Sequence, residues 1–427
     1  MRARCLRSAW VGLACLAVLG LAACGKAPES EVKPQQQPEL SSDAFLARHW
    51  ARPLERQAGA AAATDHQHAS LDPASCGACH LAQHEDWRGS LHSRAMGPGV
   101  AGQLVTMVAA DPASAESCLR CHAPLAEQAE SLAASVRAGA PGNGRLHELG
   151  LTCAGCHMRA GSVYGPPRRD GSAPNAAAPG VPHKGWIGAS AFEQSGFCAA
   201  CHQFEKDGFA LNGKLLENTF EEWKTSVHAS EGRSCQSCHM PERRHLWRGI
   251  HDPDMVRQAL TIDVSGSVVL GSGLKGEMRI RNTGAGHYFP TYVTPKVIVE
   301  AYQEDGAGRM LPGTRHQQEI SRNVTLDLSK ETSDTRIPPG GQMVFSYRRP
   351  HAAGAVALIF RLRVEPDAFY RSLYESLLAA GETGQGEAQI RRALQDATDS
   401  AFIAYTTRLP LVGQGNTARK TGRPAKP

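Results

Sequence analysis

Five short stretches of this chain set two cysteines and a histidine in one fixed spacing: Cys76-x-x-Cys79-His80, Cys118-x-x-Cys121-His122, Cys153-x-x-Cys156-His157, Cys198-x-x-Cys201-His202 and Cys235-x-x-Cys238-His239. In C-x-x-C-H the two thiols add across the vinyl groups of a haem, and the adjacent imidazole turns onto the iron as its proximal ligand. At this chain's cysteine and histidine frequencies, chance supplies about 0.02 such matches. Structural zinc pairs two C-x-x-C units and has no use for a histidine after each second cysteine. A thioredoxin-like motif occurs once, on a βαβ unit, and disulfide staples do not repeat one spacing five times. The cofactor expected is therefore five c-type haems with iron, held at ten thioether bonds.

Of the 13 cysteines, ten lie in these motifs and three (Cys5, Cys15, Cys24) lie in the first 24 residues. No thiol is left over in the remainder for a disulfide, a metal site or nucleophilic catalysis. Beyond the five proximal histidines, the 18 histidines of the chain leave 13 for the five sixth positions on iron. A second histidine there gives the low-potential state suited to electron transfer. His84-Glu-Asp-Trp87-Arg-Gly-Ser90-Leu-His92 follows the first motif, and Trp223-Lys-Thr-Ser226-Val-His228 precedes the fifth. The shared W-x-x-S-x-H is read as a helix on which the tryptophan packs beside a porphyrin and His92 or His228 reaches an iron. Met96 is an alternative to His92, one that would raise the potential.

Further distal candidates are His147 just before the third motif, His183 after a Gly/Pro-rich loop over 159–182, and one of His245 and His251 after the fifth. His251 is preferred, because Asp252 beside it can orient an imidazole. His287 stands in Asn282-Thr-Gly-Ala-Gly-His287-Tyr-Phe-Pro290-Thr291, where glycines allow the backbone to approach a flat macrocycle. It would be delivered from a different part of the fold and lock the two together. His49 is read as a packing histidine.

These residues need positioning. Residues 1–23 are a basic segment and then an apolar run, too short for a comfortable membrane span, and fit a signal peptide. Leu21-Ala22-Ala23-Cys24 has the form of a bacterial lipobox, with Cys24 the lipidated residue. A polar linker over 24–41 follows. Residues 42–256 form the pentahaem cytochrome domain, mainly α with few strands, and include helices over about 41–56, 101–110 and 124–138. Few apolar runs and an aromatic content of 6% mean that haem must supply much of this domain's core.

From 257 to 365 the period changes to two: Met278 and Ile280, Val297 and Val299, Met343, Phe345 and Tyr347, and Leu358 to Val364 alternate with polar neighbours, although Ile298 breaks the pattern. Gly/Pro/Asp turns separate them, and the whole is read as an antiparallel, Ig-like β-sandwich. Residues 366–412 are C-terminal helices, 366–382 and 387–405 being amphipathic, and 413–427 form a disordered tail.

The formal charge of +5 falls to about +2 once Arg2, Arg4 and Arg7 leave with the signal peptide, and each haem adds two propionates. An acidic holoprotein without a clustered basic face argues against a nucleic-acid partner.

The W-x-x-S-x-H after the first motif, Phe197-Cys-Ala-Ala-Cys-His202-Gln-Phe204, Cys235-Gln-Ser-Cys-His-Met-Pro241 and the Gly-Ala-Gly-His287 turn together resemble the multihaem cytochromes of the c-552/c-554 and hydroxylamine oxidoreductase-like family. The resemblance covers about 70–365. It implies a mostly helical haem domain with closely packed haem pairs, mainly bis-histidine irons and sometimes one five-coordinate haem, and it implies electron transfer. Every motif ends in histidine, so the lysine-ligated haem of ammonia-forming nitrite reductases has no counterpart here, and eight haems cannot be assembled. The function expected is an exported, lipid-anchored electron carrier of the outer membrane, facing the periplasm or the cell surface. Its partners would be quinol-linked or outer-membrane redox proteins. Two alternatives stand beside it: an oxidoreductase with one open haem acting on a small nitrogen, sulfur or oxygen compound, aided by Arg159 or Tyr164, and a structural module of a larger conduit.

Overall fold

The computed structural model describes residues 41–51, 54, 56–57, 71–138, 146–171, 185–266, 273–411 and, for the backbone alone, 420–421. The signal peptide, Cys24 and the linker to residue 40, as well as His183, lie outside the described residues.

Helices dominate up to Ala259, and strands are concentrated in the C-terminal half. Each of the five motifs occupies a short helix or a helix end: Pro73–Gly77 with the turn after it, Pro112–His122, Cys153–His157, Gly196–His202 and Cys235–His239. Asp72, Asp111 and Thr152 cap three of these, accepting from the free backbone N–H groups of Ala74, Ser114 and Gly155. A helical turn brings the second cysteine and the histidine of each motif to the same side as the first cysteine. The helix expected over 41–56 ends earlier, spanning Ser42–His49, because the chain turns out at Trp50.

Besides a two-stranded hairpin of Arg322–Val324 and Glu331–Asp334, the strands of the C-terminal half are β1 (Leu260–Ser265), β2 (Gly273–Asn282), β3 (Lys296–Glu304), β4 (His316–Ile320), β5 (Gln342–Pro350), β6 (Ala357–Glu365), β7 (Phe402–Pro410) and the two-residue β8 (Lys420–Thr421). Strands β1 to β8 form two antiparallel four-stranded sheets, ordered β5-β2-β1-β8 and β7-β6-β3-β4. Period two sets the register: Met278 stands opposite Phe345 in one sheet and Val299 opposite Leu362 in the other. Met278, Ile280 and Phe345 of the first sheet and Val297, Val299, Phe360 and Leu362 of the second are fully buried in one shared core. Ile298, which broke the alternation, lies on β3. That strand is central in its sheet and buried on both faces, with Tyr302 and Ile359 in a second cluster and Glu300 paired with Arg315 on the same side, so neither face is open to water.

Two expectations about the C-terminus need correction. Of the helix expected over 387–405, only Glu387–Asp399 is helical. Phe402–Pro410 is instead an edge strand on β6, with Ile403 opposite Arg363, so residues 366–412 are not all helix. Ser400 ends the helix, and from Phe402 the pattern of exposure is that of a strand. The backbone of Lys420 and Thr421 pairs with Val264 and Asp263 on β1, whereas the rest of the tail lies outside the described residues.

A buried ionic network joins the strand half to the second W-x-x-S-x-H segment. Glu222 Oε2 accepts from Tyr288 N at 3.0 Å, and Arg336 donates to Glu222 at 3.3 Å and to both oxygens of Asp334 at 2.9 and 3.0 Å. Lys214 adds a bond to Asp334 at 2.6 Å. Burial pushes the Asp334 carboxyl up, but the bonds from Arg336 and Lys214 outweigh it and hold it below the usual carboxylate range. A carboxyl depressed in the folded state stabilises fully above its unfolded value of about 3.9 and loses that contribution as pH falls below it. Asp334→Asn is expected to cost about 2 kcal/mol at neutral pH and distinctly less at pH 3. Denaturant unfolding at the two pH values checks this, and an equal penalty at both would contradict it.

Candidate functional site

One cavity of about 2180 Å3 runs through the helical half and up to the loop after β2. An ordinary small-molecule pocket is about 300–1,000 Å3, so this space has the capacity of several ligands. All ten motif cysteines and all five motif histidines line it, together with His92, His228, His245, His251 and His287. The apolar side chains of the helical half are correspondingly divided into small clusters around it, centred on Leu104, Phe45 and Leu125.

The motifs are not scattered along the cavity. Thiols of the first and third motifs, Cys76 and Cys153, lie near enough to perturb each other, and so do Cys198 and Cys235 of the fourth and fifth. Cys156 and Cys201 lie close enough to influence each other, which links the third motif to the fourth. The second-motif helix Pro112–His122 packs against the fourth, Gly196–His202. Desolvation pushes the Cys156 thiol up to about 12, so it is held neutral.

Three proximal histidines face a second imidazole. His157 and His245 have ring centres 6.2 Å apart, His239 and His287 6.4 Å, and His202 and His92 6.4 Å. With a metal–nitrogen bond of about 2.0 Å and about 1.1 Å from ring nitrogen to ring centre, two imidazoles on opposite sides of one metal stand about 6.2 Å apart. In the first two pairs every Nδ1 is tied to a backbone carbonyl: His157 to Tyr164, His245 to Arg243, His239 to Arg248 and His287 to Tyr288, at 2.7–3.1 Å. Nε2 is thereby the nitrogen left for a metal, and the tautomer is set as a ligand requires. Desolvation lowers His92 to about 3 and His157 and His202 to about 4, and it also lowers His239, His245 and His287. Neutral imidazole is the ligating form. Among the described residues, Nδ1 of His92 and Nδ1 of His251 are buried with no hydrogen-bond partner. Buried polar atoms of that kind call for an explanation, and a ligand in the cavity supplies one. The donor set fits covalent haem.

The two W-x-x-S-x-H segments have one local geometry, and it differs from the continuous helix expected. In both, the helix stops before the serine. Ser90 N and Oγ donate to Trp87 O at 2.9 and 2.7 Å, and Ser226 N and Oγ to Trp223 O at the same 2.9 and 2.7 Å. The Trp87 indole donates to Leu151 O at 2.7 Å and that of Trp223 to Arg233 O at 2.9 Å. Tryptophan thus anchors the turn, serine closes it, and the histidine leaves in a new direction. His228 is buried, with Nδ1 3.0 Å from Arg233.

Other expectations come out differently. Asp252 does not orient His251: it caps the helix Pro253–Ala259 through Met255 N, while His251 Nε2 meets Asp367 Oδ2 at 2.8 Å. It is His245, not the preferred His251, that stands across from a proximal histidine. The glycines before His287 admit protein, not only a macrocycle. A Cβ on Gly284 would fall 2.1 Å from Gln258 O, and one on Gly286 3.0 Å from the Trp223 ring. His147 is buried in the turn Leu146–Leu149 with Nδ1 2.9 Å from Ser131 Oγ, and it does not line the cavity. Met96 is buried in the Leu104 cluster, whereas His49 packs as the sequence reading has it, among Phe45, Tyr164 and Phe192 with Nε2 2.8 Å from Cys156 O. Arg159 donates to His49 O and lies over the Trp50 ring.

Sequence reasoning missed Trp247, whose ring meets His92 edge-on at 4.5 Å and His245 at 5.0 Å. It also missed Tyr292 and Glu217. The Tyr292 hydroxyl is 2.6 Å from His202 Nδ1. Burial pushes the Glu217 carboxyl up to about 8, against a hydrogen bond with Tyr292 that lowers it.

Residues 75–158 match the family model described as cytochrome c554 and c-prime. A penta-haem cytochrome c552 from Thermochromatium tepidum shares the fold: the TM-score is 0.57 at 17% identity, covering 79% of this chain and 97% of that one. No curated protein matches the chain. Residues 75–158 are thus similar in sequence to those cytochromes, and the likeness to the solved structure is one of fold.

Because the serine hydroxyls close both tryptophan turns, Ser90→Ala and Ser226→Ala are each expected to cost about 1 kcal/mol locally. Faster amide exchange over residues 90–93 or 226–229 reports it. Unchanged exchange in both variants would contradict the shared geometry.

Proposed function

We propose that this protein is an exported electron carrier with five covalent haems that passes single electrons between periplasmic or outer-membrane redox partners. The observation that carries this reading is the common cavity, onto which every motif cysteine and histidine opens and across which three proximal histidines face a second imidazole. Haem iron with two imidazoles supplies reversible one-electron chemistry at low potential. The chain's part is to attach, space and insulate. The cysteine pairs fix five attachment points, and contacts between motifs one and three, three and four, and four and five keep those points adjacent. His92, His245 and His287 are assigned as distal ligands opposite His202, His157 and His239. His228 and His251 also line the cavity and, with His183, remain candidates for the other irons.

In this reading the two sheets after residue 257 form an Ig-like β-sandwich that delivers His287 and braces the haem half. Residues 1–23 are the signal peptide, and Cys24 carries the lipid that holds the protein at the outer membrane. Among the described residues no helix is long and apolar enough to cross a membrane.

The mature protein is expected to exceed its polypeptide and lipid mass by five haems. His92→Ala, His245→Ala and His287→Ala should each turn one haem high-spin in electron paramagnetic resonance while all five stay attached. A mass without haem would overturn the assignment of the cofactor, and unchanged spectra in all three variants would overturn the ligand pairs. A high-spin signal in the unmodified protein that shifts with nitrite or hydroxylamine would favour the open-haem oxidoreductase instead.

A further inference from the structure

The proximal histidines of the second, third and fifth motifs share one device. Nδ1 of His122, His157 and His239 lies 2.5, 2.8 and 2.7 Å from the backbone carbonyls of Ala95, Tyr164 and Arg248. His202 of the fourth motif departs from it: its Nδ1 lies 2.6 Å from a side-chain hydroxyl, that of Tyr292. The two rings are 6.3 Å apart and inclined by 23°.

Tyr292 reaches this place from the loop between β2 and β3, and its φ of 63° is one that residues with a side chain rarely adopt. The hydroxyl is buried beside Thr219 and the carboxyl of Glu217, whose Oε2 is itself buried without a hydrogen-bond partner. With Nε2 committed to a metal, Nδ1 carries the hydrogen and donates to the phenol oxygen, which leaves the phenol O–H for the neighbouring Glu217 carboxyl. Each bond polarises the next, and an acceptor on the far nitrogen raises the basicity of a ligating imidazole. A more basic imidazole favours the oxidised metal.

We infer that Tyr292, supported by Glu217, is a positioning residue that fixes the His202 ring and lowers the reduction potential of the fourth-motif haem alone. A backbone carbonyl is part of the fold and cannot be exchanged, whereas a phenol can be altered by one substitution. Among the four motifs whose Nδ1 partner is described, the fourth is thus the centre whose potential a side chain sets. This inference rests on the haem reading above, and the two fail differently: a protein without haem ends that reading, while a protein with five haems tests this one.

The test is a spectroelectrochemical titration of the full-length holoprotein and three variants. Tyr292→Phe is expected to raise one of the five components by about 59 mV, a tenfold change in its equilibrium constant. The component that moves should be the one whose low-spin signal is lost in His92→Ala. Glu217→Leu should move the same component in the same direction by less, and Glu217→Gln, which keeps a neutral acceptor, should restore the wild-type value. If Tyr292→Phe keeps five haems and leaves every component in place, moves all five alike, or sheds the fourth-motif haem, the inference is overturned. Should that variant not fold, Glu217→Leu with no displaced component overturns it equally.

Discussion

Two neutral imidazoles gain nothing from being held 6.2–6.4 Å apart with their Nδ1 atoms fastened to the backbone. At that distance they are too far apart to bond to each other and well placed to bond to something between them. Two such pairs recur along one cavity, a third pair at the same spacing has His202 Nδ1 on the Tyr292 hydroxyl instead, and in each pair one ring belongs to a C-x-x-C-H helix. The rest of the helical half follows from this spacing. Motif helices are short because each has only to present two thiols and a ring. Apolar residues gather in small clusters because the middle of the domain is reserved.

The strand half serves the same constraint from a firmer base. Its core is continuous and its register is fixed by side chains buried between two sheets. From that base one loop carries His287 toward His239 and Tyr292 toward His202. Glycines at 284 and 286 let the loop lie against Gln258 and Trp223, and the Glu222–Arg336–Asp334 network holds it there. Precision at the rings depends on rigidity several residues away.

How much of this was legible beforehand varied with how local each signal is. Covalent attachment needs only five consecutive residues, so the motifs gave the cofactor outright. Period-two alternation at Met278–Ile280 and Phe345–Tyr347 marked strands because each strand has one buried face. Phe402–Pro410 was misread as helix, since an edge strand buries few residues and follows an amphipathic helix without a proline or glycine break. Pairings across the cavity could not be read at all. That His245 rather than His251 faces His157, or that Asp367 rather than Asp252 meets His251, depends on contacts more than 80 residues apart in sequence. Tyr292 carried no signal beyond a tyrosine in a turn. The W-x-x-S-x-H repeat was visible as a repeat, but its meaning, a tryptophan-anchored turn closed by serine, needed the hydrogen bonds.

The central claim is that each facing pair of histidines straddles one iron. An anomalous difference map of the crystallised mature protein, recorded at the iron absorption edge, tests it most directly. The account predicts five peaks within the cavity, three of them midway between His157 and His245, His239 and His287, and His202 and His92. Peaks that lie to one side of those pairs, with the second imidazole of each turned away, would contradict it.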